Sequence, residues 1–237
     1  MRNAITGETT IGEIVAADYR TAGIFERHGI DFCCGGKIQI AEACKAKGID
    51  LATLTKELES QQHEPVDRSQ NFSSWSLSFL ADYIVNTHHV YLKENDEQIV
   101  TYAQKIASVH GERHPEVVRI ASIFEKIATD MVAHLKEEEE VFFPALKRAE
   151  TATTNGSQPD AKDRETIRNS LVRLHREHEE VGDAIHEIRR LANGFRIPDD
   201  VCNTFMLTYR KLAEFEDDLH KHVHLENNIL FLKAAQL

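Results

Sequence analysis

Two histidine–glutamate pairs in this chain share one spacing: His134 precedes Glu138 by four residues, and His222 precedes Glu226 by four. On a helix, residues four apart lie on one face, so each pair can aim an imidazole nitrogen and a carboxylate at one point. Imidazoles and carboxylates together suit iron or manganese, with the carboxylates bridging two ions. Structural zinc instead prefers four ligands, often thiolates. His178 offers a further imidazole, and the adjacent His88 and His89 offer another. Cys33 and Cys34, followed by Gly35 and Gly36, form a separate thiol group. A bridge between neighbouring cysteines is strained, so thiols are expected there.

Helices must position these residues. The chain of 237 residues has only 11 Gly and 5 Pro, a composition that favours helix. Long helical stretches are expected over 74–108, 115–149, 164–193 and 199–234, broken at His110–Pro115, at the polar segment 151–163, and at Asn193-Gly194 with Pro198. The expected fold is all-α: an up-down-up-down four-helix bundle over 74–237, preceded by a small helical N-terminal domain over 1–60 and a polar linker over 61–73. Within the small domain, weak helical patterns run near Ile11–Val15, Tyr19–Ile30, Ile38–Lys47 and Leu51–Leu58.

The apolar seams of the bundle carry polar residues midway. The second helix reads Ile120, Phe124, Ile127, Met131, His134, Glu138, Val141, Ala145; the third Ile167, Leu171, Leu174, His178, Val181, Ile185, Ile188; the fourth Phe205, Thr208, Leu212, Phe215, Leu219, His222, Glu226, Ile229. A single histidine on an apolar face is usually a hydrogen-bonded core residue, and the run Glu137–Glu140 alone would be a solvated face. Three seams with the same interruption argue against both. Unpartnered buried carboxylates are costly and repel each other. Two cations would offset two carboxylates and a bridging oxide or hydroxide. On the first helix, periodicity slightly favours His88, which continues Leu77, Ala81 and Ile84 toward Leu92, and leaves His89 open.

The formal net charge of −11 argues against nucleic acid or an anionic membrane surface as partner. No apolar run has signal-peptide or membrane-spanning length, so a cytoplasmic location is expected, with Cys33, Cys34, Cys44 and Cys202 reduced.

The His-then-Glu order differs from the Glu-x-x-His pairs of ferritin-like proteins and is similar to that of haemerythrins. The run Asp31-Phe32-Cys33-Cys34-Gly35-Gly36-Lys37 resembles the signature of the N-terminal domain of the iron–sulfur cluster repair di-iron proteins, the RIC family. The segments His134–Pro144 and His222–Phe231 resemble its haemerythrin-like domain. The resemblance covers nearly the whole chain. It implies two non-haem iron ions held by His89, His134, Glu138, His178, His222 and Glu226, and so favours His89 over His88. Leu232 departs from the proline more usual in the family.

The resemblance also implies a working thiol pair, Cys33 and Cys34, that binds iron transiently or passes iron or electrons. The two glycines are expected to leave the thiols accessible, and their amides to form an anion-favouring nest, with Asp31 acting against it. His175 is a candidate outer partner for the metal site. The implied function is repair of clusters damaged by oxidative or nitrosative stress, with damaged iron–sulfur proteins as partners. Reduction of nitric oxide, or binding of nitric oxide or oxygen, is the alternative, and the residues do not separate an iron donor from an enzyme. A homodimer is allowed, and no pattern specifies one.

Overall fold

The computed structural model describes residues 5–61 and 70–237. No strand forms among them; one antiparallel bridge joins Thr10 and Gln39. The small helices are α1 (Ile11–Ala17), α2 (Ala22–Arg27), α3 (Ile40–Lys47) and α4 (Leu51–Gln61). The long runs are α5 (Leu77–Ile84) with α6 (Val90–His110), α7 (Glu116–Glu137) with α8 (Phe143–Thr154), α9 (Ala161–Leu191), and α10 (Asn203–Leu225) with α11 (Phe231–Ala234). In three of the four runs a π-turn joins the two parts: Val85–His89, Glu138–Phe142 and Glu226–Leu230. The fold is the expected all-α one. Much of the linker expected over 61–73 lies outside the described residues.

Local chemistry sets the helix ends. Thr10 and Glu13 form a capping box at α1: Thr10 Oγ1 accepts from the Glu13 amide at 3.3 Å, and Glu13 Oε2 accepts from the Thr10 amide at 2.9 Å. Helix α3 stops at Gly48, whose φ of 68° closes the helix in the left-handed region. The segment 151–163, expected as a loop, is shorter: α8 continues to Thr154 and α9 starts at Ala161. The hydroxyls of Thr151 and Thr153 donate back to the carbonyls of Lys147 and Ala149, which lets threonines sit in the last helical turn. Asp160 caps α9 by accepting from the Lys162 amide at 2.8 Å, and Arg148 of α8 pairs with Asp163 in the first turn of α9 at 2.6 Å.

The chain forms two compact units. One comprises Met1–Leu80 and Lys221–Gln236, the other Ala81–His220 with Leu237. In the second unit Leu92, Phe124, Leu174, Leu212 and Phe215 are fully buried, and Phe124 meets Phe215 edge-on at 4.9 Å. Each such side chain contributes about 1.5–3 kcal/mol. In the first unit Ile11, Phe25, Ile40, Leu54, Leu58 and Phe231 make the core.

Candidate metal centre

The larger unit gathers three of the expected histidines around one expected carboxylate. Glu138 opens the π-turn that follows α7, and it is 0% exposed. Its Oε2 lies 3.3 Å from His89 Nε2 and 3.4 Å from His134 Nε2. His134 Nε2 in turn lies 3.3 Å from His178 Nε2. The ligand atoms of His134, Glu138 and His178 fall within 4.8 Å of one another. His88, which periodicity slightly favours, points elsewhere: its Nδ1 lies 2.9 Å from Asp218 Oδ1. The π-turn Val85–His89 explains how two adjacent histidines are both buried, because its wider turn lets each serve a different neighbour.

The far sides of two rings are fixed by carboxylates. His89 Nδ1 lies 2.8 Å from Glu139 Oε1, which also accepts from Lys93 Nζ at 2.6 Å. His134 Nδ1 lies 2.8 Å from Glu177 Oε2. A carboxylate only accepts, so in each neutral ring Nδ1 carries the hydrogen and Nε2 presents a lone pair toward Glu138. Partial burial resists ionisation of Glu139, but Lys93 and His89 outweigh it and hold the carboxyl below its ordinary range. Glu177 is held low first by its bond to His134, against burial.

Two lone pairs facing a buried carboxylate at 3.3–3.4 Å are repulsive unless a proton or cation lies between them. The surroundings are dry, so that repulsion is poorly screened. The donor set therefore fits a metal ion. The same pattern recurs in the other unit, where His222 Nε2 lies 3.2 Å from Glu226 Oε2 and both residues are 0% exposed. Glu226, like Glu138, opens a π-turn.

The thiol pair lies in that smaller unit. Asp31 Oδ1 accepts from the amides of Cys33 and Cys34 at 2.9 and 3.0 Å, and the Cys33 thiol approaches it at 3.3 Å. The two cysteine amides are thus taken by a carboxylate of the same loop. Cys33 is 3% exposed and Cys34 is half-buried, so only one thiol is accessible. The glycines serve close approach instead: a Cβ on Gly35 would lie 2.7 Å from the Asp31 carbonyl. Both cysteines are free thiols, their sulfurs 3.8 Å apart. The bond to Cys34, burial and the Asp31 charge push the Cys33 thiol well above its ordinary range. Asp31, Cys33 and Cys34 together bring three potential metal donors within 4.8 Å.

Glu139 and Glu177 were missed by sequence reasoning, which nominated His175. The available signal was adjacency: each directly neighbours an expected ligand, Glu138 or His178. No helix among the described residues is long and apolar enough to cross a membrane.

Residues 80–234 match the hemerythrin HHE cation binding domain, and residues 7–62 match a Domain of Unknown function, DUF542, named ScdA_N. The iron-sulfur cluster repair protein ScdA of Staphylococcus haemolyticus is 34% identical over 232 residues, which is 98% of this chain and 100% of that one. A probable iron-sulfur cluster repair protein of Haemophilus influenzae is 32% identical over 88% of each chain. The iron-sulfur cluster repair protein YtfE of Yersinia pestis is 28% identical over 96% of each. With both domains matched in order and this similarity running end to end, the chain belongs to the iron–sulfur cluster repair family that joins a ScdA-type N-terminal domain to a hemerythrin domain.

Proposed function

We propose that this protein restores iron–sulfur clusters damaged by oxidative or nitrosative stress by supplying iron to them. The reading takes residues 1–60 as a thiol domain, 61–73 as a linker and 74–237 as the iron-holding domain. Two non-haem iron ions would be held by His89, His134, Glu138, His178, His222 and Glu226, with Glu138 and Glu226 bridging and an oxide or hydroxide completing the pair. When bound, this group supplies exchangeable iron and a redox couple. The observation that carries the reading is the pair of fully buried carboxylates, Glu138 and Glu226, each faced by imidazole nitrogen. The relatives named as repair proteins support the choice of iron.

The residues of the chain divide the work. Glu139 and Glu177 orient the imidazoles of His89 and His134. Asp31, Cys33 and Cys34 make a second, softer donor group, suited to receive an iron ion in transit as the thiols lose their protons. Reduced thiols fit a reducing compartment such as the cytoplasm.

The test is reactivation of an oxidant-damaged [4Fe–4S] enzyme by the iron-loaded protein. Elemental analysis follows iron on both partners. Iron leaving this chain in step with recovered activity supports donation. Removal of nitric oxide with no iron transferred would replace this reading with gas reduction.

A further inference from the structure

The two residues after Glu226 are asparagines, and both are buried in the π-turn Glu226–Leu230. A buried primary amide is costly unless its hydrogens and oxygen are used. Asn228 Nδ2 donates to the Phe32 carbonyl at 3.0 Å, and the Cys33 carbonyl and His224 Nδ1 lie 3.3 and 3.1 Å away. Asn227 Nδ2 also approaches the Cys33 carbonyl, at 3.4 Å. The opposite edge of the Asn228 amide rests on Gly12 and Gly36, where a Cβ on either would collide with Oδ1. Those glycines are joined to each other by the Gly12 amide donating to the Gly36 carbonyl at 2.8 Å.

The carbonyls of Phe32 and Cys33 belong to the two peptide planes that lead into Cys33 and Cys34. The amide edges of those same planes are bonded to Asp31. Each plane is therefore gripped on both edges, by Asp31 within the loop and by asparagine from the last helix. A peptide plane held at both edges has little freedom to turn, so the directions of the two Cα–Cβ bonds are set.

We propose that Asn228, supported by Asn227, is the positioning residue for the Cys33–Cys34 thiols, holding them in register with the helical turn that begins at Glu226. Its consequence for repair rests on the reading of these thiols as iron carriers; its consequence for the thiols does not.

The experiment uses the full-length, iron-loaded protein. Asn228→Ala removes the amide, and Gly36→Ala displaces it without removing it. The rate of Cys33 alkylation by iodoacetamide is read by peptide mass in a Cys34→Ala background. Both changes are expected to raise that rate about tenfold or more, since protection of Cys33 depends on a loop that no longer stays closed. With both cysteines present, Asn228→Ala is expected to lower the first-order rate of cluster reactivation at saturating client about tenfold or more, with the half-saturating client concentration little changed, because the thiols are misdirected rather than the client unbound. Unchanged Cys33 protection in both variants would overturn the proposal. Should Asn228→Ala lose helicity, Gly36→Ala and the milder Asn227→Ala decide it by the same readouts. If alkylation accelerates but a Cys33→Ala, Cys34→Ala protein still reactivates clusters, the positioning role stands and the carrier reading falls.

Discussion

Glu177 and His178 are neighbours in sequence, and both address His134: Glu177 Oε2 lies 2.8 Å from its Nδ1, and His178 Nε2 lies 3.3 Å from its Nε2. His89 is met in the same way, by Glu139 at Nδ1 and by Glu138 at Nε2. Successive helical residues diverge by about 100°. An imidazole lying edge-on to a helix can therefore be met at both nitrogens by two consecutive side chains, one accepting from Nδ1 and the other flanking the Nε2 lone pair where a cation would lie.

Removing the outer grip should weaken metal binding without removing a donor. Glu139→Gln and Glu177→Gln are each expected to lower metal affinity by roughly 10- to 100-fold. Chelator competition on the iron-loaded protein measures this. Unchanged iron retention in both variants would contradict the role assigned to these carboxylates.

Glu138→Leu and Glu226→Leu should each release iron while the helices persist. Removing a buried carboxylate also removes its desolvation cost, and leucine fills a similar volume. Elemental analysis and far-UV circular dichroism together check the outcome. Full iron content in either variant would argue against a bridging role.

Iron removal should itself destabilise the chain. An ion bound only by the folded state adds free energy to folding, and its loss leaves Glu138 and Glu226 facing imidazole nitrogen in a dry site. Thermal unfolding should move to lower temperature in the metal-free protein and return when ferrous iron is added back. Coincident transitions with and without iron would count against the site.

Asp96 gives a prediction away from the metal. Burial pushes its carboxyl up to about 7, and its Oδ1 has no hydrogen-bond partner among the described residues. The folded state thus prefers the protonated form. That preference costs almost nothing at pH 3 and below, where both folded and unfolded states are protonated. The penalty grows as pH rises from the ordinary value of 3.8, where the unfolded state ionises and the folded state does not, and is complete above about 7, where both are ionised. Asp96→Asn should therefore raise the urea midpoint at pH 8 and leave it nearly unchanged at pH 3. The gain should be on the order of 1–2 kcal/mol once water around a half-buried side chain is allowed for. An equal effect at both pH values would show that ionisation is not the cause.

The bundle and the inward residues were legible because a 3-4 seam interrupted by His and Glu is a strong signal, and His134, Glu138, His178, His222 and Glu226 are all buried. What was not legible is the backbone between them. The seam read through Glu138 to Val141 fails at its last step: Val141 is 39% exposed, and Phe142, one residue later, is 0% exposed. The π-turn Glu138–Phe142 shifts the inward position by one, and no residue type announces such a turn. The same limit left His88 and His89 unresolved by periodicity. The shortened loop at 155–160 depended on threonine hydroxyls bonding backward, a choice that composition alone assigns to a loop. The grip of Asp31 on the amides of Cys33 and Cys34 required three-dimensional placement, since the residue types in that run do not say which amides the carboxylate takes.

The three π-turns also set how this chain tolerates change in length. Each is an α-helix carrying one residue too many, and its wide turn is less favourable than the regular one. Deleting a single residue inside Val85–His89, Glu138–Phe142 or Glu226–Leu230 would let that helix relax to uninterrupted α geometry with the faces on either side nearly kept, because the wide turn has already absorbed the extra residue. Most proteins are forgiving of small deletions in loops and intolerant of them in helices because register is lost. At these three turns register beyond the deletion would survive and the local backbone itself favours the shorter chain, so the extra residue is retained against the helix's own preference, at the turns that contain His89, Glu138 and Glu226.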